Sequence, residues 1–196
     1  MKSNPSLFVN DENQPVEQIT PELAQDFLKG FEDKTGWPVR LPTEAEWEYV
    51  CRELGQEIRF GNGTMVAKPD EMAFQAQAQG KSQYSMVKSD TKFHSFGSSW
   101  KQTVPVRFFK PNNIGFYNLS GNVDELLSDY WSPTAYDHAK EWNPEQKKTD
   151  GNQFKVKRGG SWFAGAADLR CSKRSFSKPD ENKSTLGMRM VWEGPK

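Results

Sequence analysis

The amino-acid sequence predicts a single α+β domain. Two segments begin with strong helix-capping residues, two short segments alternate between apolar and polar residues, and long polar stretches separate them. A chain of 196 residues has the length of one domain, and it is long enough to bury roughly two-thirds of its unfolded surface. We therefore expect one folded unit that covers residues 1–196.

The first helix is predicted to begin after Thr20. Threonine is a common N-cap residue, and Pro21 then stands at the first helical position, where its missing N–H is not needed. Glycine often ends a helix, so Gly36 marks the end. Four apolar side chains recur at helical spacing and should face the core: Leu23, Phe27, Leu28 and Phe31.

The second helix is predicted to begin after Thr43. Thr43 and Glu46 have the spacing of a capping box, in which the hydroxyl and the carboxylate satisfy each other's backbone N–H groups. Gly55 is the predicted end of this helix. Its apolar stripe consists of Trp47, Val50, Cys51 and Leu54.

The remaining chain predicts short strands and much irregular loop. Residues 154–158 and 186–192 alternate like strands, whereas residues 59–105 and 133–152 are polar and rich in turn-forming residues. A long irregular stretch inside a domain usually needs a metal ion, a ligand or packing to hold it. No internal repeat is present.

Composition excludes several classes of function. The chain carries 26 basic and 26 acidic residues, so no net field attracts nucleic acid or an anionic membrane. No stretch approaches the roughly 20 apolar residues of a membrane span, and residues 1–10 lack the apolar core of a signal peptide. We expect a cytoplasmic protein, or a secreted or surface protein if the N-terminus is trimmed. Two cysteines are too few for a disulfide framework or a cysteine zinc site.

Several motifs carry a resemblance to a known family. Residues 40–49 read RLPTEAEWEY, and further blocks follow in order: NPS at 4–6, PVE at 15–17, GFYNLSGNV at 115–123, RGGSW at 158–162 and LGMR at 186–189. These blocks are similar to those of the formylglycine-generating-enzyme (sulfatase-modifying factor) family. The resemblance covers almost the whole chain but lacks the family's usual N-terminal portion. It implies a C-type-lectin-like fold, with two helices packed on short, twisted antiparallel strands.

Residues 118–125 have the pattern of a loop that binds a hard cation. The side-chain oxygens of Asn118 and Glu125 and the carbonyls of Gly121 and Val123 could surround one calcium ion. The alternative is a turn in which Asn and Glu bond only to backbone. The resemblance implies that these four positions are calcium ligands. Asp124 and Leu126 stand where family members usually have tryptophan.

The cysteines bear on catalysis. Catalytic members of the family hold copper(I) with two cysteines just after the Gly-Gly-Ser block, and soft thiolates are the ligands that copper(I) requires. Here Ala164 stands at the place of the first of these cysteines, so we expect no copper and an absence of the family's catalysis. The resemblance also implies that Cys51 and Cys171 are neighbours, bridged or reduced according to the compartment.

An oxidoreductase is the alternative function. One enzymatic branch of the family makes sulfoxides with iron held by three histidines, and this chain has only His94 and His138. Both lie in polar segments, where a solvated histidine is the ordinary state. Formylglycine generation or iron-dependent sulfoxide synthesis would therefore require unfamiliar ligands.

The favoured function is a non-catalytic module that binds a protein or peptide rather than nucleic acid or membrane. Aromatic and arginine side chains are enriched at such interfaces, and the predicted ligand surface consists of Ser161, Trp162, Phe163, Asp168, Arg170 and Arg174. Burial of Trp162 and Phe163 in the core is the competing interpretation. The resemblance extends to the variable proteins of diversity-generating retroelements, which vary residues between the Gly-Gly-Ser block and the final strand.

Overall fold

The computed structural model describes residues 3–75, 100–137, 142–149 and 151–195. Within these ranges the chain forms two α-helices, α1 (Pro21–Thr35) and α2 (Glu44–Cys51). Six strands accompany them: β1 (Val39–Arg40), β2 (Asp124–Tyr130), β3 (Lys155–Arg158), β4 (Ser175–Ser177), β5 (Leu186–Met188) and β6 (Val191–Trp192). In the described part of the chain, no helix has the length and apolarity needed to cross a bilayer.

The predicted starts of both helices are confirmed. The Thr20 hydroxyl accepts a hydrogen bond from the Leu23 N–H at 3.2 Å, and Gly36 ends α1 in the left-handed region at φ 71°. At α2, Thr43 Oγ1 accepts from the Glu46 N–H at 3.1 Å, while Glu46 Oε2 accepts from the Thr43 N–H at 2.9 Å. This is the predicted capping box.

The predicted end of α2 is wrong. The helix ends at Cys51, and Leu54, which was assigned to its apolar stripe, is 56% exposed. Glu53 and Leu54 have φ values of 46° and 68°, in the left-handed region, which a right-handed α-helix does not accommodate. Asn113 holds this turn in place, because its backbone N–H and its side-chain amide each donate to the Glu53 carboxylate at 2.8 Å.

The main sheet has four strands in the order β4-β3-β2-β5. Its β4–β3 and β3–β2 pairs are antiparallel, whereas β2 and β5 are parallel. The sheet is thus mixed and not purely antiparallel as expected. The predicted strand at 154–158 is confirmed as β3, and the one at 186–192 is divided into β5 and β6 by Arg189 and Met190. β1 and β6 form a separate antiparallel pair.

Strand β2 lies between two halves of the core. Successive side chains of a strand point to opposite faces, so Leu126 and Leu127 enter different clusters. Leu126 packs with residues of the α1 side, including Ile19, Ala24, Leu41 and Leu186. Leu127 packs with residues of the α2 side, including Trp47, Leu119 and Val156.

A disulfide joins the end of α2 to the segment after β3. Cys51 and Cys171 are bonded, with their Cα atoms 5.6 Å apart, and both are fully buried beside Leu127. They are separated by 120 positions in the chain. The neighbourhood implied by the resemblance is therefore present, and in this structure the pair is bridged.

Candidate functional site

The loop before β2 directs its polar groups into the protein. Asn118, Gly121 and Asn122 all have positive φ values, and a Cβ on Gly121 would lie 2.4 Å from the Ala73 carbonyl oxygen. This position therefore needs glycine. The buried Asn122 amide accepts from the Val104 N–H at 2.9 Å and donates to the Val104 carbonyl at 3.0 Å, which ties the loop to the segment at 100–106.

Glu125, the carboxylate expected to bind calcium, is held by protein donors. Arg189 donates to both of its oxygens, at 2.6 and 2.8 Å, and Trp47 Nε1 donates to Oε2 at 2.8 Å. The residue is 4% exposed. A paired guanidinium compensates the carboxylate charge, and two N–H···O contacts in parallel fix its orientation.

These contacts bear directly on the calcium expectation. Calcium takes oxygen ligands such as carboxylates and carbonyls, and the positive charge of Arg189 already pairs with the Glu125 carboxylate. The amide of Asn118 donates to the Val106 carbonyl at 2.9 Å. The ion pair with Arg189 disfavours an ion at Glu125, and calcium binding at Asn118, Gly121, Val123 and Glu125 stays a prediction.

The loop after β3 runs beside the loop before β2. The Gly121 N–H donates to the Gly159 carbonyl, and the Trp162 N–H donates to the Asn122 carbonyl, each at 2.9 Å. Gly160 has φ 68°, and a Cβ there would be 3.0 Å from the Asp168 carbonyl oxygen. Ser161 is buried, so it does not contribute to a ligand surface as expected.

Ala164 packs against an apolar cluster. Its neighbours include Phe60, Met72, Phe74 and Leu169, and its carbonyl accepts from the Gln75 N–H at 2.9 Å. The resemblance places a copper-binding cysteine here, whereas this chain presents a methyl group. The chain's two cysteines are bonded to each other and leave no free thiol.

Three rings form a ladder on the outside of this loop, which we call the aromatic ladder: Phe8, Trp162 and Phe163. The Phe8 and Trp162 ring centroids are 5.7 Å apart, and those of Trp162 and Phe163 are 5.4 Å apart. Trp162 Nε1 donates to the Ser184 carbonyl at 3.0 Å, whereas Phe163 is 64% exposed. Trp162 is therefore anchored, and Phe163 faces solvent.

The N-terminal segment contributes to the same surface. The buried carboxylate of Glu17 accepts from the Phe8 N–H at 2.8 Å, which positions the ring of Phe8 against Trp162. Leu7 and Val9, on either side of Phe8, are exposed. Burial raises the pKa of Glu17.

The other predicted surface residues are not brought together. Asp168 lies beside Lys173, with Oδ1 and Nζ 3.2 Å apart. Arg170 donates from Nε to the Ala167 carbonyl at 2.9 Å. Arg174 is directed elsewhere, because it donates to both oxygens of the buried Glu44 at 2.7 and 2.8 Å. The expected surface is thus divided, and Arg174 belongs to an internal ion pair.

Asp168 also lines a small polar pocket of about 240 Å³. Lys157 and Asp124 line the same pocket, and Lys157 Nζ lies 3.3 Å from Asp124 Oδ2 and 3.0 Å from Glu181 Oε1. Burial raises the pKa of Asp124. Burial acts to lower the pKa of Lys157, but the two carboxylates raise it overall. Sequence reasoning missed this cluster, because its members are distant in the chain and only the sheet brings them together.

Comparison with known proteins identifies the family. A family model described as the sulfatase-modifying factor enzyme 1-like domain matches residues 2–194. The chain belongs to this family. The resemblance carried by the RLPTEAEWEY block is thereby confirmed.

Curated relatives share this domain within longer proteins. The formylglycine-generating enzyme of Mus musculus is 36% identical over 153 residues, which are 76% of this chain and 38% of that enzyme. The serine/threonine-protein kinase pkn1 of Chlamydia caviae is 31% identical over 151 residues, which are 76% of this chain and 20% of that protein. The chain therefore spans less than half the length of these relatives.

Solved structures confirm the fold. Treponema denticola variable protein 1 superposes with a TM-score of 0.76 at 21% identity, over 97% of this chain and 77% of that one. PvdO from Pseudomonas aeruginosa gives 0.73 at 22% identity, over 95% and 64% of the two chains. The expected C-type-lectin-like α+β fold of the family is therefore correct. His94 and His138, on which an iron site would depend, lie outside the described residues.

Proposed function

We propose that this chain is a non-catalytic domain that binds a protein or peptide through a surface centred on the aromatic ladder. One observation carries the proposal: at Ala164 the chain has a methyl group packed on apolar neighbours, and its only two sulfhydryl groups are consumed in a buried disulfide. Copper(I) chemistry depends on thiolate ligands, which this chain does not offer.

The aromatic ladder supports binding as the remaining role. Exposed aromatic side chains on a rigid backbone are typical of residues that contribute most to interface affinity. Trp162 is fixed by the Ser184 carbonyl and by Phe8, so Phe163 projects from an ordered base. Leu7 and Val9, the chain neighbours of Phe8, are also exposed.

Selection of peptide ligands tests the binding role. A phage-displayed random peptide library is panned on the intact chain, and selected peptides are then measured against Phe163→Ala and the matched control Trp142→Ala. Trp142 is 89% exposed and lies outside the aromatic ladder. We expect Phe163→Ala to weaken binding by about tenfold or more, which corresponds to a hot-spot residue, and Trp142→Ala to have little effect. Equal affinity for both variants would place the ligand elsewhere.

A peptide-oxidation assay tests the absence of catalysis. The chain is supplied with copper(I), oxygen and a sulfatase-type peptide that contains the substrate cysteine, and mass spectrometry follows the conversion of its thiol to an aldehyde. We expect the peptide to remain unchanged. Turnover that depends on the chain would end the proposal.

An oxygen-dependent oxidoreductase is the second candidate, and the 36% identity with the mouse formylglycine-generating enzyme favours it. Either formylglycine generation or sulfoxide synthesis would require a transition metal held by ligands other than thiolates. Elemental analysis of the purified chain distinguishes the two candidates. Stoichiometric copper or iron would favour the oxidoreductase, and absence of both would favour the binding domain.

The fold also suits a variable protein of a diversity-generating retroelement, in line with the resemblance noted in the sequence. Variation between the Gly-Gly-Ser block and the final strand would alter Phe163 and the residues around it while leaving the buried strands unchanged. A neighbouring reverse-transcriptase gene with an adenine-biased template repeat would support this role, and a locus without them would remove it.

A further inference from the structure

A second surface of the molecule forms a wide cleft. Its volume is about 780 Å³, within the range of pockets that hold small organic ligands, roughly 300 to 1,000 Å³. Its walls come from the N-terminal segment, α1, residues 106–118, the start of β2 and the end of β5. The cleft contains no member of the aromatic ladder, so it is independent of the proposed function.

The lining of the cleft is mainly apolar. Phe27 of α1, Phe116, Met188 and Met190 contribute ring and thioether surface, and Phe116 and Met190 remain partly exposed. Methionine side chains adapt to irregular apolar ligands. This composition favours a ligand with an apolar body.

The cleft is lined by two arginines and one glutamate. Glu125 and Arg189 both line it, but they compensate each other in a bidentate ion pair. Arg107 also lines the cleft and lies over the ring of Tyr117, with its guanidinium carbon 6.0 Å from the ring centroid. Among the residues that the structure describes, no carboxylate forms an ion pair with Arg107. Within the described part of the chain, Arg107 thus adds a positive charge that no carboxylate compensates beside the apolar surface.

We propose that this cleft binds a small amphipathic carboxylate, with its apolar body on Phe116 and Met190 and its anionic head against Arg107. A guanidinium matches the geometry of a carboxylate, with two parallel N–H donors facing two oxygens. Three of the four residues that the resemblance assigns to calcium, Asn118, Val123 and Glu125, are then wall residues of an organic-ligand site.

A charge series tests the assignment. Decanoate, decan-1-ol and decyltrimethylammonium share one chain and differ in the head group. Each is titrated into the intact protein by calorimetry, the two ions below their micellar concentrations and the alcohol below its solubility limit. We expect decanoate to bind about tenfold more tightly than the alcohol, and the cation to bind least. Equal affinity for all three would reveal unspecific apolar adsorption and would overturn the proposal, as would an absence of binding.

Substitution of Arg107 sharpens the test. Arg107→Ala should lower the affinity for decanoate about tenfold and leave that for decan-1-ol unchanged, whereas Arg107→Lys should retain part of the preference. Arg59→Ala is the matched control, because Arg59 does not line the cleft. Thermal unfolding verifies that each variant is folded. An unchanged decanoate affinity in Arg107→Ala would refute the role of this residue.

The cleft could instead be covered by a second copy of the chain, and sedimentation separates the two cases. We expect the protein to sediment as one species at all concentrations, with and without decanoate. Concentration-dependent association that Phe116→Ala abolishes would identify the cleft as an interface between copies and would exclude the ligand site. Failure of this proposal leaves the peptide selection on the aromatic ladder unaffected.

Discussion

The loop that leads into β2 and the loop that leaves β3 lie side by side, yet their side chains are used differently. Two backbone hydrogen bonds join them, from Gly121 to Gly159 and from Trp162 to Asn122. In the first loop the buried polar groups bond inward, as Asn122 does to Val104. In the second loop the outermost side chain, Phe163, is exposed. The comparison indicates a fixed inner framework that carries an exposed outer surface.

The inner framework should be sensitive to loss of a buried charge. Arg158, at the end of β3, is fully buried and donates to the Cys171 and Lys173 carbonyls while it pairs with Glu44 and Glu48. We expect Arg158→Met to reduce the free energy of unfolding by about 3 to 5 kcal/mol, because it removes a fully buried guanidinium from the ion pairs with Glu44 and Glu48 and leaves the Cys171 and Lys173 carbonyls without this donor. Urea denaturation measures the loss.

The matched control is Arg52, which pairs with the other oxygen of the Glu48 carboxylate. Arg52 pairs with Glu48 at 2.7 Å, but both side chains are partly exposed. Arg52→Met should therefore cost less than about 1 kcal/mol. Equal losses in the two variants would contradict the distinction between a buried framework and a solvated surface.

The disulfide should give the next largest effect. Cys51 and Cys171 close a loop whose ends are 120 positions apart, and a cross-link of this kind stabilises by about 2 to 4 kcal/mol. The double variant Cys51→Ala, Cys171→Ala should lose this amount in urea denaturation. A reductant should destabilise the native chain and leave the double variant unchanged. A native chain that takes up iodoacetamide without reductant would show that the thiols are free.

The helices were predictable because their signals are local. A capping box needs only Thr43 and Glu46, and both partners lie within four positions. The end of α2 was missed because Asn113, which holds Glu53 in its turn, is 60 positions away. Strand β2 was missed for a related reason, because residues 124–130 alternate poorly when both faces of a strand are buried.

The candidate site was predictable only where a residue acts through its own chemistry. Ala164 has no thiol in any fold, so the resemblance, which places a copper-binding cysteine at this position, was enough to infer that the family's thiol is missing there. The role of Glu125 depends on Arg189, which follows directly after β5 and donates to its carboxylate. The burial of Ser161 depends on the neighbouring loop. Long-range pairing of this kind leaves no local pattern.

The pair of Arg40 with Glu46, at the capping box of α2, is partly exposed. It should contribute less to the free energy of unfolding than a buried ion pair. Hydrogen bonds from Arg40 hold the pKa of Glu46 at about 2, below its ordinary value of 4.5. The folded state therefore binds this proton less readily than the unfolded state. The resulting stability is complete above about pH 4.5 and is lost as the pH falls toward about 2.

Glu46→Gln should remove this pH-dependent contribution. We expect a loss of about 1 kcal/mol or less at neutral pH, since water screens a partly exposed pair, and a smaller change in stability between pH 4.5 and 2 than in the native chain. Urea titrations across this range measure both. A variant with the native slope would show that other carboxylates dominate acid unfolding.

Calcium should have the smallest effect, and it tests the first loop directly. Glu125 is compensated by Arg189 and bonded by Trp47, so a calcium ion would compete with a guanidinium for this carboxylate. We expect calcium to change the free energy of unfolding by less than about 0.5 kcal/mol. A calcium site would add about 2.7 kcal/mol at a free calcium concentration of about a hundred times its dissociation constant. Thermal unfolding with calcium, with magnesium and with a chelator supplies the comparison. Stabilisation by calcium alone would mean that this loop binds the ion as the resemblance implies and that Arg189 releases Glu125, which would make the inner framework responsive to a ligand and no longer fixed.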